Sequence, residues 1–290
     1  MSNAQQQKPA SRWQLRETEL RFSKIPLLMG IVNITPDSFS DGGRFFDPDQ
    51  AVNHALNLQS QGAAILDVGG ESTRPYSTPV EETEELRRVV AVVGRLSREA
   101  RLPISIDTTK PAVADAALKA GAEIINDVSG FRDPQMVAVA VRHGAGVCVM
   151  HMQGTPQGMQ DQPDYKDVVE EIHVYLAQQR DMLLECGVRA DRICLDPGIG
   201  FGKSHDHNLE LIRGAARFHD LGCPVLVGHS RKGFIGKVVQ DQDVDRDAGT
   251  IAVALRLAQN QVSVIRVHDV AAVRQALLLF DACAPDVHYR

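Results

Sequence analysis

Eight short apolar runs recur along the chain: IPLLMGIVNIT, AAILDVGG, PISIDT, EIINDVS, GVCVMHM, RICLDPG, PVLVGHS and VSVIRVH. Each is strand-like, and none alternates strictly between apolar and polar residues. Lost alternation means that both faces are covered, as in a parallel sheet flanked by helices. The stretches between the runs carry helix punctuation. Pro111 opens AVADAALKA and Gly121 closes it, with proline at the start and glycine just past the end. Thr78, Pro79 and Glu81 read as a capping-box start, and Glu84 sits one turn before Arg88. The charged run EETEELRRVV reads as a solvated helix face. Eight strand–helix units in roughly 250 residues fit a single α/β domain, a (β/α)8 TIM barrel. A doubly wound open sheet is the alternative, because periodicity does not prove closure.

No composition shift divides the chain, so the barrel is assigned to residues 25–283, followed by a C-terminal tail, 284–290. Residues 1–24 are set apart as an N-terminal extension, whose Ser-Asn-Ala start resembles a cloning remnant. The net charge of −6 and pI near 5.9 speak against a nucleic-acid partner. No apolar run approaches the roughly 18 residues of a membrane span, and the N-terminus lacks the apolar core of a signal peptide. Cys148, Cys186, Cys194, Cys223 and Cys283 form no C-x-x-C pair, and two lie in apolar runs. They read as reduced thiols of a cytoplasmic protein.

In a barrel of this kind the functional side chains gather where strands end. Polar residues interrupt every run at that point: Asn33, Asp67, Asp107, Asn126, His151, Asp196, Ser230 with Lys232, and Arg266 with His268. One polar residue there is ordinarily a loop residue or a helix cap; eight in one ring form a mouth. Asp107, Asn126 and Asp196 suit a flat heterocycle with several N–H donors. Arg266, His268, Lys232 and Arg231, placed on the opposite side, suit a phosphate or diphosphate. An ion pair of Arg266 or His268 with Asp269 or Asp247 is the competing reading. Asn33 offers an oxygen to Mg²⁺, whose other ligands would be water and phosphate oxygens.

The stretch ICLDPGIGFGKS mimics a phosphate-binding loop but fails its spacing. A P-loop ending in Gly202, Lys203 and Ser204 needs glycine at position 197, which is Pro197. The glycines at 198, 200 and 202 also miss the dinucleotide pattern. Asp196, at the strand end, is therefore the informative residue. Nearby, His205 and His207 lack the further ligands of a zinc site.

The segments GIVNITPDSFSDGG, DVGGESTRP, ISIDTTKP, IINDVSG, MHMQGTP, LDPGIGFGK, GHSRKGFIG and IRVHDV together resemble the dihydropteroate synthase family of the folate pathway. The resemblance spans about residues 28–270, one segment per strand end. It implies a barrel that forms a homodimer. It also implies the joining of 4-aminobenzoate to 6-hydroxymethyl-7,8-dihydropterin diphosphate, giving 7,8-dihydropteroate and diphosphate. By the same resemblance Asp196, Asp107 and Asn126 hold the pterin, Lys232 reaches it, Asp67 supports it, and Met150 either lies against its ring or packs in the core. Arg266 and His268 bind the diphosphate, and Asn33 holds Mg²⁺. Asp37 and Phe39 in the first loop, with Thr73 and Arg74 in the second, close over the site and shape the aminobenzoate pocket.

Asp107, Lys232, Arg266 and Asp37 are the expected catalytic set. The expected order is loss of diphosphate first, then attack by the aryl amine. Lys203 reads as a solvated loop residue. Gly233 and Tyr76 depart from the family pattern and bear on aminobenzoate and sulfonamide affinity; Ser230 or the lid would compensate for Gly233. A pterin-binding methyltransferase and a catalytically inactive partner barrel are the alternatives. The R-V-H and S-R-K segments argue against the first, and the complete motif set argues against the second.

Overall fold

The computed structural model describes residues 8–34, 47–73, 76–155, 158–161 and 163–284. Two short strands come first, β1 (Arg12–Gln14) and β2 (Glu19–Arg21), paired antiparallel. All eight expected strands then follow. They are β3 (Leu27–Asn33), β4 (Ile65–Gly69), β5 (Ile104–Asp107), β6 (Ile124–Asp127), β7 (Gly146–Met150), β8 (Ile193–Asp196), β9 (Leu226–Gly228) and β10 (Val264–Val267). Their order is β8-β7-β6-β5-β4-β3-β10-β9, with parallel pairing throughout. A parallel bridge between Leu195 and Val225 draws the two outer strands together. The sheet is thus a barrel and not an open doubly wound sheet.

Helices lie between the strands: α1 (Pro48–Ser60), α2 (Glu82–Glu99), α3 (Pro111–Ala120), α4 (Pro134–His143), α5 (Val168–Glu185), α6 (His205–Arg213), α7 (Gly233–Val239), α8 (Asp247–Gln259) and α9 (Val270–Ala282). Their starts follow local chemistry. Asp47, Asp133, Asp167 and Asp269 accept first-turn N–H groups, and prolines open α1, α3 and α4. Gly121 ends α3 at φ 116°, a left-handed position that favours glycine. His207 completes a capping box with Ser204 at the start of α6.

The start of α2 differs from the sequence expectation. Its cap is Glu81, which makes no side-chain capping bond, and the helix begins at Glu82. Thr78 lies outside it. The Glu84–Arg88 pair does form, at 2.7 Å. The face read as solvated is so only in part: Glu81, Glu82 and Arg87 are exposed, whereas Glu85 is fully buried and Arg88 is 8% exposed. Lys110, from the loop after β5, pairs with Glu85, and Arg88 pairs with Glu84 on its own helix, which makes that burial tolerable.

Inside the barrel, polarity changes by layer. Met29, Ile65, Ile124, Cys148, Cys194, Leu226 and Val264 form an apolar floor, and Trp13, Leu15 and Leu20 of the β1–β2 hairpin pack into it. Two residues further along the same strands stand Ile31, Asp67, Asn126, Met150, Asp196, Gly228 and Arg266. Because successive side chains alternate between faces, the strand periodicity converts an apolar floor into a polar mouth. Residues 12–22, assigned on sequence to an extension outside the barrel, therefore send Trp13, Leu15 and Leu20 into the packed interior. Trp13 is fully buried, its Nε1 donating to the Arg192 carbonyl at 2.9 Å. The Glu123 carboxylate accepts from the backbone N–H groups of Glu17 and Thr18. The outward-facing side chains join the larger core beneath the helices.

Candidate active site

Parallel register sets the ring of candidate side chains. Asn33 pairs with Gly69, Gly69 with Asp107, Asp107 with Asn126, and Met150 with Asp196. Asn126 faces inward, whereas its neighbour Asp127 binds Ser129 and the Phe131 N–H and folds the loop after β6. Asp67 lies one layer deeper than Asp107, since its partner in register is Ser105.

The strongest feature is an ion cluster around Arg266. Its Nε donates to Asp67 Oδ2 at 2.6 Å and its NH2 to Asp107 Oδ2 at 2.8 Å. Asn126 Nδ2 also approaches Asp67 Oδ2, at 3.3 Å. On sequence alone Arg266 is expected opposite the acidic side chains. The structure corrects this: β10 and β4 both flank β3, so a long side chain from β10 spans the ring to the carboxylates. Nor does Arg266 pair with Asp247 or Asp269. Asp247 holds Arg231 in a two-bond pair, with N–O distances of 2.6 and 2.8 Å, and Asp269 caps α9. Arg231 is thereby drawn off to α8.

The cluster leaves acceptors without donors. Asp67 Oδ1 and Asp107 Oδ1 are both buried with no hydrogen-bond partner. Asp196 is 6% exposed, and its Oδ1 accepts the Gly198 N–H at 2.7 Å. Burial raises the pKa of Asp107 to about 7 against the pull of Arg266. Burial likewise raises that of Asp196, with the Gly198 N–H opposing it. Buried carboxylates with unfilled lone pairs are receptors for a ligand's N–H groups.

Lys232 begins the turn into α7. Its ammonium donates to the Ile199 carbonyl and stands 4.2 Å from the centroid of the Phe201 ring. Burial lowers its pKa to about 7, with Asp196 opposing the shift. Ser230 Oγ lies 2.9 Å from His268 Nδ1 and accepts the His268 backbone N–H at 3.3 Å. Met150 is 2% exposed and packs with Val128, Met152, Met159 and Phe201, an apolar patch beside the carboxylates. Gly233 is exposed, with open space where a Cβ would stand. Thr73 is half-buried. Asp37, Phe39 and Arg74 lie outside the described residues.

Lys203 corrects another expectation. It is 2% exposed, and its Nζ donates to His151 Nδ1 at 2.9 Å, to the His151 carbonyl at 3.1 Å and to the Phe201 carbonyl at 2.8 Å. It ties the loop after β8 to the end of β7. The same contact fixes His151 with its ring proton on Nε2, and burial beside Lys203 takes that ring's pKa down to about 2. Gly198 sits so close to the His151 carbonyl that an added Cβ would stand 2.0 Å from it. Tyr76 is 66% exposed, and its hydroxyl donates to Asp161 Oδ1 at 2.9 Å. Glu71 and Lys110 form an ion pair that the sequence reading did not single out. The available signal was a pair of opposite charges just past two strand ends, in DVGGESTRP and ISIDTTKP.

Fold and site together define a barrel enzyme whose carboxylate-lined mouth takes a polar ligand. A profile described as pterin binding enzyme matches residues 29–268. The chain is 42% identical over 268 residues to a dihydropteroate synthase of Synechocystis, covering 92% of this chain and 93% of that protein. It is also similar to the structure of Xanthomonas albilineans dihydropteroate synthase with 4-aminobenzoic acid, with TM-score 0.88, 42% identity, and 95% and 100% of the two chains covered. The structure of the Burkholderia cenocepacia dihydropteroate synthase complexed with 7,8-dihydropteroate gives TM-score 0.85 at 41% identity, covering 95% and 97%. The chain belongs to the dihydropteroate synthase family of pterin-binding transferases. With that, the methyltransferase alternative falls.

Proposed function

We propose that this protein joins 4-aminobenzoate to 6-hydroxymethyl-7,8-dihydropterin diphosphate, releasing diphosphate and 7,8-dihydropteroate. The observation that carries the reading is the set of buried, donor-less oxygens of Asp67 and Asp107 beside Asp196. A pterin ring presents adjacent N–H groups that fill such acceptors in parallel. Asp196, Asp107 and Asn126 grip the ring edge, Met150 lies against its face and Lys232 donates to it. Arg266 holds Asp67 and Asp107 in place, and its remaining N–H groups, with His268 and Ser230, face the diphosphate.

Asn33 ends β3 half-buried, and among the described residues no group of three or more His, Cys, Asp or Glu is placed to hold a metal. This donor set fits Mg²⁺ held chiefly by diphosphate oxygens and water, with one amide oxygen from the chain. When bound, Mg²⁺ would neutralise charge on the leaving diphosphate. The protein's own part is electrostatic. Arg266 and His268 stabilise the departing anion, and the carboxylates of Asp107 and Asp67 favour the positive charge spreading from the exocyclic carbon into the dihydropterin. The aryl amine is neutral at pH 7 and attacks without a base, so the site needs no nucleophilic Ser or Cys. Asp37, Phe39, Thr73 and Arg74 shape the aminobenzoate pocket, with the open space beside Gly233 adjoining it.

The same reading includes a homodimer in the cytoplasm. Val238 and Val239 on α7 and Leu279 on α9 are exposed apolar side chains suited to a second copy. Cys148 and Cys194 stand side by side in register as free thiols, which suits a reducing compartment. Among the described residues no helix is long and apolar enough to cross a membrane. Diphosphate release by purified protein with magnesium, measured with and without 4-aminobenzoate, tests the reaction. Release that depends on both reactants is expected; no pterin–aminobenzoate product under those conditions would defeat it.

A further inference from the structure

The loop of residues 70–81, between β4 and α2, is held at both ends by one side chain from the next strand's loop. Lys110 follows β5, and its Nζ donates to three acceptors: Glu71 Oε2, the Val80 carbonyl at 2.7 Å and Glu85 Oε2. Glu71 lies at the start of the loop and Val80 near its end. Glu71 Oε1 also accepts the Val80 N–H at 3.2 Å, so the two ends are stapled to each other as well as to Lys110. Glu85, fully buried on α2, uses its other oxygen to accept from Thr108 Oγ at 2.7 Å. Arg88 adds a bond to the Gly70 carbonyl at 3.0 Å. Within the loop, Ser77 Oγ donates to the Ser72 carbonyl at 2.6 Å. Every ammonium hydrogen of Lys110 is used, and none of its partners comes from the pterin-side carboxylates.

We infer that Lys110 is a positioning residue for the aminobenzoate side of the mouth: through Glu71 and Val80 it fixes where the second loop presents Thr73. The inference rests on the reaction proposed above. Asp107, although close in sequence, is held independently by Arg266 and by pairing with β4 and β6. Loosening Lys110 therefore frees the loop without releasing the pterin pocket. The loop then samples more conformations, and an interaction made by one of them weakens in proportion to its lost population.

Lys110→Met alone leaves Glu85 as an unpaired buried charge, so the test uses Lys110→Met combined with Glu85→Gln, whose carbonyl still accepts from Thr108. Lys110→Arg is the conservative variant. Steady-state kinetics are measured with each substrate varied in turn. For the double variant we expect KM for 4-aminobenzoate to rise about tenfold, and KM for the dihydropterin diphosphate to stay within about twofold. Lys110→Arg, which keeps the charge and several donors, is expected to recover most of the loss. An unmoved aminobenzoate KM, a parallel rise in both KM values, or loss of the folded state in both variants overturns the inference while leaving the reaction intact. Failure of the unmodified protein to form product overturns the reaction, and the inference with it.

Discussion

Arg266 shows how one side chain serves two tasks. Its guanidinium compensates two buried carboxylates in a setting where an unpaired charge costs several kcal/mol, and in the proposed reaction its other N–H groups face the diphosphate. In the proposed reaction Asp107→Asn removes a charge next to the reacting carbon, and Arg266→Ala removes both the diphosphate contact and the brace on Asp67. Each is expected to lower kcat/KM at least tenfold, about 1.4 kcal/mol of transition-state stabilisation. Steady-state assays of both variants check this; full activity in either contradicts the role assigned to that residue. That Asp67, Asp107, Asn126, Asp196 and Arg266 share one end of the barrel was legible in the sequence, because a polar residue ends all eight apolar runs, although any one of them alone reads as a loop residue or a cap. What each touches was not. Lys203 and Glu85 look like solvent-facing charges in sequence, and both are buried because their partners lie far along the chain. The partner of Lys203 is His151, and that of Glu85 is Lys110. Both pairings join neighbouring strand–helix units, β7 with β8 and β4 with β5, but which loop side chain folds inward to meet its partner is set by loop geometry that carries no periodic signal.

At the scale of elements, the eight barrel strands followed from the apolar runs, and α3 from its proline start and glycine end. The β1–β2 hairpin did not, because three-residue strands carry no periodic signal and RWQLRETELRF reads as polar. Its significance lies in packing, with Trp13 set against Met29, Ile65 and the other floor residues. Truncating a buried aromatic leaves a cavity that the rigid ends of the strands cannot fill. Trp13→Ala is therefore expected to lower unfolding free energy by about 3–5 kcal/mol, with little change in KM for either substrate. Urea denaturation alongside kinetics distinguishes this from an ornamental extension, for which stability would be unchanged.

For the molecule as a whole, burying charge in the mouth ties stability to pH. Lys232 titrates near 7 when folded and near 10.4 when unfolded. Between those values the unfolded chain binds the extra proton, so stability rises as pH climbs from about 7 toward 10. The direction for Lys203 is the same. Lys232→Met should make the rise shallower when unfolding is followed between pH 7 and pH 9.5; identical slopes would show that burial does not perturb this lysine.

The packed floor carries one more consequence. With Trp13, Leu15 and Leu20 packed onto the apolar floor, the interior below Asp67, Asn126 and Asp196 is filled by side chains, so a molecule bound by those residues meets the chain from the carboxyl ends of the strands and has no passage through the core.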